Sequence, residues 1–190
     1  MSLDKQQLRI FYKERRSALS DEELVNKSFQ ITEQVITFLK VHNKLQHFHL
    51  FFPISKQREV NTYPIKKYLE ERGGTIYTGR VESDSLKMQT LRLKTDTKFQ
   101  HDQWGIPVPQ DFELLQNEEI QVVFIPLLAY DKKGHRIGFG KGYYDVFLSD
   151  LSPSVLKIGL SFFEPEVSIP FESHDIPLDF CITPQNTFTF

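Results

Sequence analysis

The sequence predicts an α/β fold, a single three-layer domain with a mostly parallel (mixed) central sheet and helices on both faces. Three observations predict it. Residues 122–130 form a continuous apolar run, the mark of a strand buried on both sides rather than half-exposed. That run leads through a basic, glycine-rich loop into a helical pattern from Tyr143, and residues 47–74 show the same passage from strand through loop to helix. The length of 190 residues and 39% hydrophobic content suit one core, so residues 1–190 read as one domain.

Taken in order, residues 3–16 place Leu8, Phe11 and Tyr12 at helical spacing among charges, an amphipathic helix with a basic face. Ser20 and Glu23 form a capping box, and Leu24, Phe29, Ile31, Val35, Ile36 and Leu39 carry a second helix to about Val41. Residues 47–54, closed by Pro53, are the first core strand. Tyr63, Ile65 and Leu69 mark a helix that Gly73 and Gly74 end. Strands at 75–81 and 86–93 then turn the βαβ beginning into a meander. Two prolines make 104–111 extended and rigid. Further strands are predicted at 122–130, 155–162 and 177–183.

The chemistry concentrates after the 122–130 strand. Gly134, Gly138, Gly140 and Gly142 are four of the nine glycines, packed into nine residues, and such a loop exposes successive N–H groups to an anion. Lys132, Lys133, Arg136 and Lys141 add charge, and the start of the helix at Tyr143 adds its dipole. Asp145 suits a hard divalent cation bridging to phosphates, so the loop reads as a site for a metal nucleotide. It is neither GxxxxGK[ST] nor GxGxxG, because Lys141 precedes Gly142 and Tyr143 takes the third glycine position. The same glycines also suit a plain basic hairpin.

Elsewhere, Lys5 and Arg9 lie four apart on the first helix and can face one anion, or form a solvated face. Glu59 and Thr62 lie in a strand-to-helix loop, where α/β sheets place ligand contacts; Glu59 also suits a helix N-terminus. Trp104 can stack on a flat ring or pin a loop. His174 and Asp175 are adjacent on an extended stretch and point apart, which argues against an acid-base pair.

A net charge of −2 and a pI near 6.3 argue against general nucleic-acid or membrane-surface binding. With no long apolar window, no leader pattern and one cysteine, Cys181, in an apolar run, the expectation is a cytoplasmic protein with a buried, inert thiol. Six histidines without close spacing give no zinc site, and a GxSxG elbow is absent.

The run from Leu128 to Leu148, with RxGxGxGYYD at Arg136 to Asp145, resembles the C-terminal motif of the 5-formyltetrahydrofolate cyclo-ligase family. KxxLR at Lys5, Leu8 and Arg9, ExxT at Glu59 and Thr62, and WGIPxP from Trp104 extend the resemblance in order over most of the chain. The resemblance implies ATP-dependent closure of 5-formyltetrahydrofolate to 5,10-methenyltetrahydrofolate by a monomer, with ATP and Mg2+, and no nucleic-acid or membrane partner. It implies that Lys5, Arg9, Arg136, Gly138, Gly140, Lys141, Gly142, Tyr143 and Asp145 bind the nucleotide, with Asp145 first and Asp131 second for the metal. Glu59, Asn61, Trp104 and Tyr144 fall to the folate, and Tyr144, Lys141 and Arg136 to the reacting centre. Asn61, Val108 and Phe139 depart from the family's pattern; some members carry a second carboxylate where Asn61 stands. Other classes compatible with a phosphate loop are a phosphosugar isomerase, which needs no ATP, a non-catalytic nucleotide module and a basic nucleic-acid binder.

Overall fold

A computed structural model describes residues 3–81, 85–102, 105–115 and 119–190. Two helices come first, α1 (Lys5–Ser17) and α2 (Asp21–Val41). Each opens on a capping box, Asp4 with Gln7 and Ser20 with Glu23, which satisfies two N–H groups that helix geometry orphans. Then follow β1 (His47–His49), α3 (Tyr63–Glu71), β2 (Thr75–Val81), β3 (Met88–Leu93), β4 (Phe99–His101), β5 (Pro107–Pro109) and β6 (Phe112–Leu115). The rest comprises β7 (Val122–Pro126), β8 (Ala129–Tyr130), β9 (Arg136–Ile137), α4 (Tyr143–Ser149), β10 (Leu156–Leu160), β11 (Phe180–Ile182) and β12 (Thr187–Thr189).

One sheet runs β12-β11-β10-β7-β1-β2-β3-β6. From β11 to β2 every neighbour is parallel. The flanks are antiparallel, β12 at one side and β3 with β6 at the other. Two ribbons, β4–β5 and β8–β9, stand apart. The parallel centre explains the unbroken apolar run at β7. Val122 and Phe124 pack with Leu8, Val35, Leu39 and Ile65 of α1, α2 and α3, while Val123 and Ile125 pack with Phe147 and Leu148 of α4. Both faces of the strand are therefore dry, and one helix covers what three cover opposite.

The first strand lies mid-sheet, with β2 on one side and β7 on the other. The chain thus reverses direction of growth beside β1, and a crevice opens at the carboxyl ends of the strands at such a point.

Five strands are shorter than predicted: β3 (Met88–Leu93) and β11 (Phe180–Ile182) cover part of 86–93 and 177–183, and β1, β7 and β10 are trimmed too. Strand β1 stops at His49 instead of reaching residue 54, and the Leu50 N–H still donates to Tyr77 O before the chain leaves for a 3-10 turn at Ser55–Gln57. Strand β7 stops at Pro126 rather than 130. The buried Arg16 takes the Leu127 carbonyl at 2.5 Å and Leu128 N–H turns to Ile137 O, so Ala129 and Tyr130 enter a hairpin of their own. Strand β10 covers only 156–160 of the expected 155–162. Cys181 is buried in β11 and unpaired, and burial pushes its thiol up. Among the described residues, no helix is long and apolar enough to cross a membrane.

Candidate active site

A cleft of about 490 Å³ opens at the carboxyl ends of β1, β2 and β7, a volume typical of small-molecule sites. Phe51, Phe52 and Glu59 reach it from beyond β1, Thr78, Gly79 and Val81 from β2, and Pro126 from β7. The glycine loop and the first turn of α4 form one wall, and α1 closes the top with Lys5 and Arg9. Their spacing of four residues puts both cations on the inward side of the helix.

The loop is held from both ends. At its base Asp131 is wholly buried, accepting from the N–H groups of Lys133, His135 and Ile169, with the His135 ring at 3.0 Å. It fastens the β8–β9 turn and does not line the cleft, so the structure does not bring this expected metal ligand to the site. At the tip, Arg9 Nε donates to Gly138 O at 3.2 Å. Gly140 adopts φ +97, and a Cβ there would stand 3.1 Å from Arg9 Nε, so glycine is needed both for the backbone and for the close guanidinium. Over Gly138 and Gly142 the space is open.

Arg136 and Asp145 form the charged centre of this wall. Arg136 Nη2 donates to Asp145 Oδ1 at 2.8 Å and Nη1 donates to Ile176 O, while Ile176 N–H reaches the same Oδ1 at 3.2 Å. The guanidinium is nearly enclosed and the carboxylate half-buried, so two groups nine residues apart are fixed against one another by a third strand of chain. Lys5 is also engaged, with Nζ 2.6 Å from Asp175 and 3.0 Å from Glu172. Burial opposes its charge, and the hydrogen bonds it donates to Asp175 and then to Glu172 outweigh that and raise its pKa. Lys141 lies exposed at the rim; Lys132 and Lys133 are exposed and point elsewhere.

Helix α4 is only seven residues long, starts without a side-chain cap, and carries Asp145 in its first turn. Its dipole is correspondingly small, and cationic side chains supply most of the attraction for an anion here.

The opposite wall is drier. Glu59 is buried; its Oε2 accepts from Ile54 N–H at 2.8 Å. Burial raises its pKa to about 7, against the pull of that N–H and of the buried Arg16. Tyr144 packs edge-on to Phe147, its hydroxyl pushed up first by burial and then by the charge of Glu59. Asn61 is exposed outside the cleft, its Oδ1 accepting from Tyr63 N–H at the start of α3. Trp104 lies outside the described residues. Thr62 is structural, its hydroxyl donating to Phe51 O at 2.6 Å.

Eleven of the expected residues thus meet in one cleft: Lys5, Arg9, Glu59, Arg136, Gly138, Gly140, Lys141, Gly142, Tyr143, Tyr144 and Asp145. Sequence reading missed Glu172 as the second partner of Lys5, and Arg16, which donates to Gln57 O and Leu127 O from 4% exposure. An arginine on the apolar side of α1, in register with Leu8 and Tyr12, was the available signal. The arrangement can hold a polyanion against the loop and α1, and a flat, partly polar ring against Glu59 and Tyr144.

The model of the 5-formyltetrahydrofolate cyclo-ligase family matches residues 1–184. A 5-formyltetrahydrofolate cyclo-ligase of Mus musculus is 30% identical over 191 residues, spanning 92% of this chain and 91% of the relative. One of Mycoplasma genitalium is 29% identical over 180 residues, spanning 95% and 98%. Two solved structures share the fold. A 5,10-methenyltetrahydrofolate synthetase from Mycoplasma pneumoniae superposes with a TM-score of 0.78 at 25% identity, covering 96% of this chain and 99% of that one. A second, from Aquifex aeolicus, gives 0.83 at 26% identity, covering 97% and 92%.

Proposed function

The chain belongs to the 5-formyltetrahydrofolate cyclo-ligase family, and from that premise we propose that it closes 5-formyltetrahydrofolate to 5,10-methenyltetrahydrofolate using ATP, with release of ADP and phosphate. The observation that carries this reading is the pairing, in one cleft, of a cationic loop-and-helix wall with a dry wall bearing Glu59 and Tyr144.

The chemistry asks for no protein nucleophile. A formamide oxygen leaves poorly, so the γ-phosphoryl group passes to it, breaking the bond to the β-phosphate. Folate N10 then adds to the formyl carbon, phosphate departs with the former formyl oxygen, and N10 loses its proton. The protein's part is to align the two substrates and to balance developing charge.

Lys5, Arg9, Arg136 and Lys141 balance the phosphates, with backbone over Gly138 and Gly142 open to close approach. Asp145 would hold the magnesium ion, which supplies charge neutralisation across the phosphates. One carboxylate suits an ion that takes its remaining ligands from phosphate and water. Asp131 serves the turn instead. Glu59 and Tyr144 take the pterin end of the folate, and burial lets Glu59 hold or release a proton near neutrality, matching polar N–H groups on a ring.

The test is incubation of the purified protein with 5-formyltetrahydrofolate and magnesium ATP, following the near-ultraviolet absorbance of the methenyl product. Product that forms only with ATP supports the reading. A folded protein that binds ATP without forming product is a nucleotide-binding module, and the proposal fails.

A further inference from the structure

The mechanism leaves one buried charge without a task. Arg16 follows Leu8 and Tyr12 on the inward side of α1, and at 4% exposure it is as enclosed as they are. Burial lowers its pKa to about 10, so the guanidinium stays charged at neutral pH. An apolar side chain of similar size would pack there at less cost, because a buried cation gives up its hydration. Packing alone therefore does not account for an arginine at this position.

Its contacts lie in separate parts of the cleft wall. Nη2 donates to Leu127 O at 2.5 Å, where β7 passes into the β8–β9 hairpin that carries Arg136. Nη1 donates, at a longer 3.4 Å, to Gln57 O in the turn after β1. That turn ends in Glu59, whose carboxyl closes it on Ile54 N–H. The rings of Phe139, in the glycine loop, and of Phe162 lie 5.7 and 5.8 Å from the guanidinium. Gln57, Glu59, Ile137 and Phe139 all line the cleft, and Arg16 stands behind them. The charge of Arg16 also favours ionised Glu59. The other titratable group coupled to Glu59 is the Tyr144 hydroxyl of α4, which Arg136 of β9 influences in turn.

Resting on the function proposed above, we propose that Arg16 is a positioning residue for ring closure. Its planar fork ties the Glu59 turn to the end of β7 and so sets the separation between the folate wall and the nucleotide wall. It acts on alignment of the two bound substrates and on the proton of Glu59, and touches neither substrate.

The test compares wild type, Arg16→Met and Arg16→Lys, each checked for folding by circular dichroism. Methionine fills the space and removes both fork and charge; lysine keeps a charge but loses the fork. Arg58, which donates to Leu19 O at 2.6 Å, still anchors the turn in both. In Arg16→Met kcat falls about 100-fold, while the KM for ATP and the Kd for 5-formyltetrahydrofolate at its best pH stay within about threefold, as expected of reactants bound out of line. The pH at which folate affinity changes, about 7 in wild type, moves upward in Arg16→Met. It stays in place in Arg16→Lys, whose kcat falls about tenfold. A folded Arg16→Met protein with unchanged kcat, with the loss expressed in the KM for ATP instead, or with an unmoved pH midpoint overturns the inference and leaves the cyclo-ligase reading intact. If methionine prevents folding, Arg16→Lys decides: wild-type kcat overturns the inference, and a fall with both affinities kept supports it. A wild type that forms no methenyl product overturns both.

Discussion

Replacing Glu59 by glutamine should make the protein more stable at alkaline pH and leave it little changed in acid. In the folded state burial raises this carboxyl from 4.5 to about 7, the Ile54 N–H and the Arg16 charge offsetting only part of the effect. A raised carboxyl pKa means that the native state holds the proton more tightly than the unfolded chain does. The resulting stability is fully present below pH 4.5 and is lost as pH rises through about 7. Each tenfold in proton affinity is about 1.4 kcal/mol, so the loss across this window is about 3 kcal/mol. Glutamine keeps the shape and an acceptor for Ile54 N–H but cannot ionise. Urea unfolding at pH 4.5, 6, 7 and 8.5 measures the difference. The expected gap between variant and wild type opens with rising pH and reaches about 3 kcal/mol at pH 8.5, or roughly 6 to 12 °C in Tm for a chain of this size. A gap that is independent of pH refutes the reasoning, because the carboxyl would then not be the group that titrates.

Three further outcomes follow from the cationic wall. Asp145→Asn should lower kcat about 100-fold with a smaller rise in the KM for ATP, read by steady-state kinetics at saturating magnesium, because the carboxylate that would hold the magnesium ion and that fixes Arg136 is lost. Gly140→Ala should destabilise the protein by about 1 to 2 kcal/mol for its left-handed φ and raise the KM for ATP by pushing on Arg9; thermal melts and kinetics measure the two effects separately. Lys5→Met should raise the KM for ATP while changing stability by less than about 1 kcal/mol, since its ion pairs with Asp175 and Glu172 are partly solvated.

The layered fold was readable because its signals are local. The Ser20 and Glu23 box starts α2 where predicted, the unalternating run at 122–126 is a strand dry on both faces, and Tyr143 opens α4 after the last glycine of the loop. Strand ends were less readable because distant residues decide them. Nothing in Leu127 to Tyr130 says that Arg16, more than a hundred positions earlier, removes a carbonyl from the ladder. Strand β12 was missed because Thr187–Thr189 shows no apolar run, only a pairing with β11 at the sheet's edge. At the site, Arg136, Lys141 and Asp145 come together because contiguous sequence carries them, whereas Lys5 and Arg9 reach the cleft from α1 and were expected there from the family resemblance. Asp131 and Asn61 were assigned to ligands because they lie near the motifs, yet the backbone around each claims its oxygens first.

The most direct measurement uses 5-formyltetrahydrofolate carrying 18O in the formyl group, turned over with unlabelled ATP and magnesium in ordinary water, with mass analysis of the released phosphate. Activation of the formyl oxygen by phosphoryl transfer predicts one 18O atom in each phosphate released. Phosphate without label, formed alongside methenyl product, would contradict it, because the oxygen would then have left by a route in which the nucleotide wall of the cleft takes no covalent part.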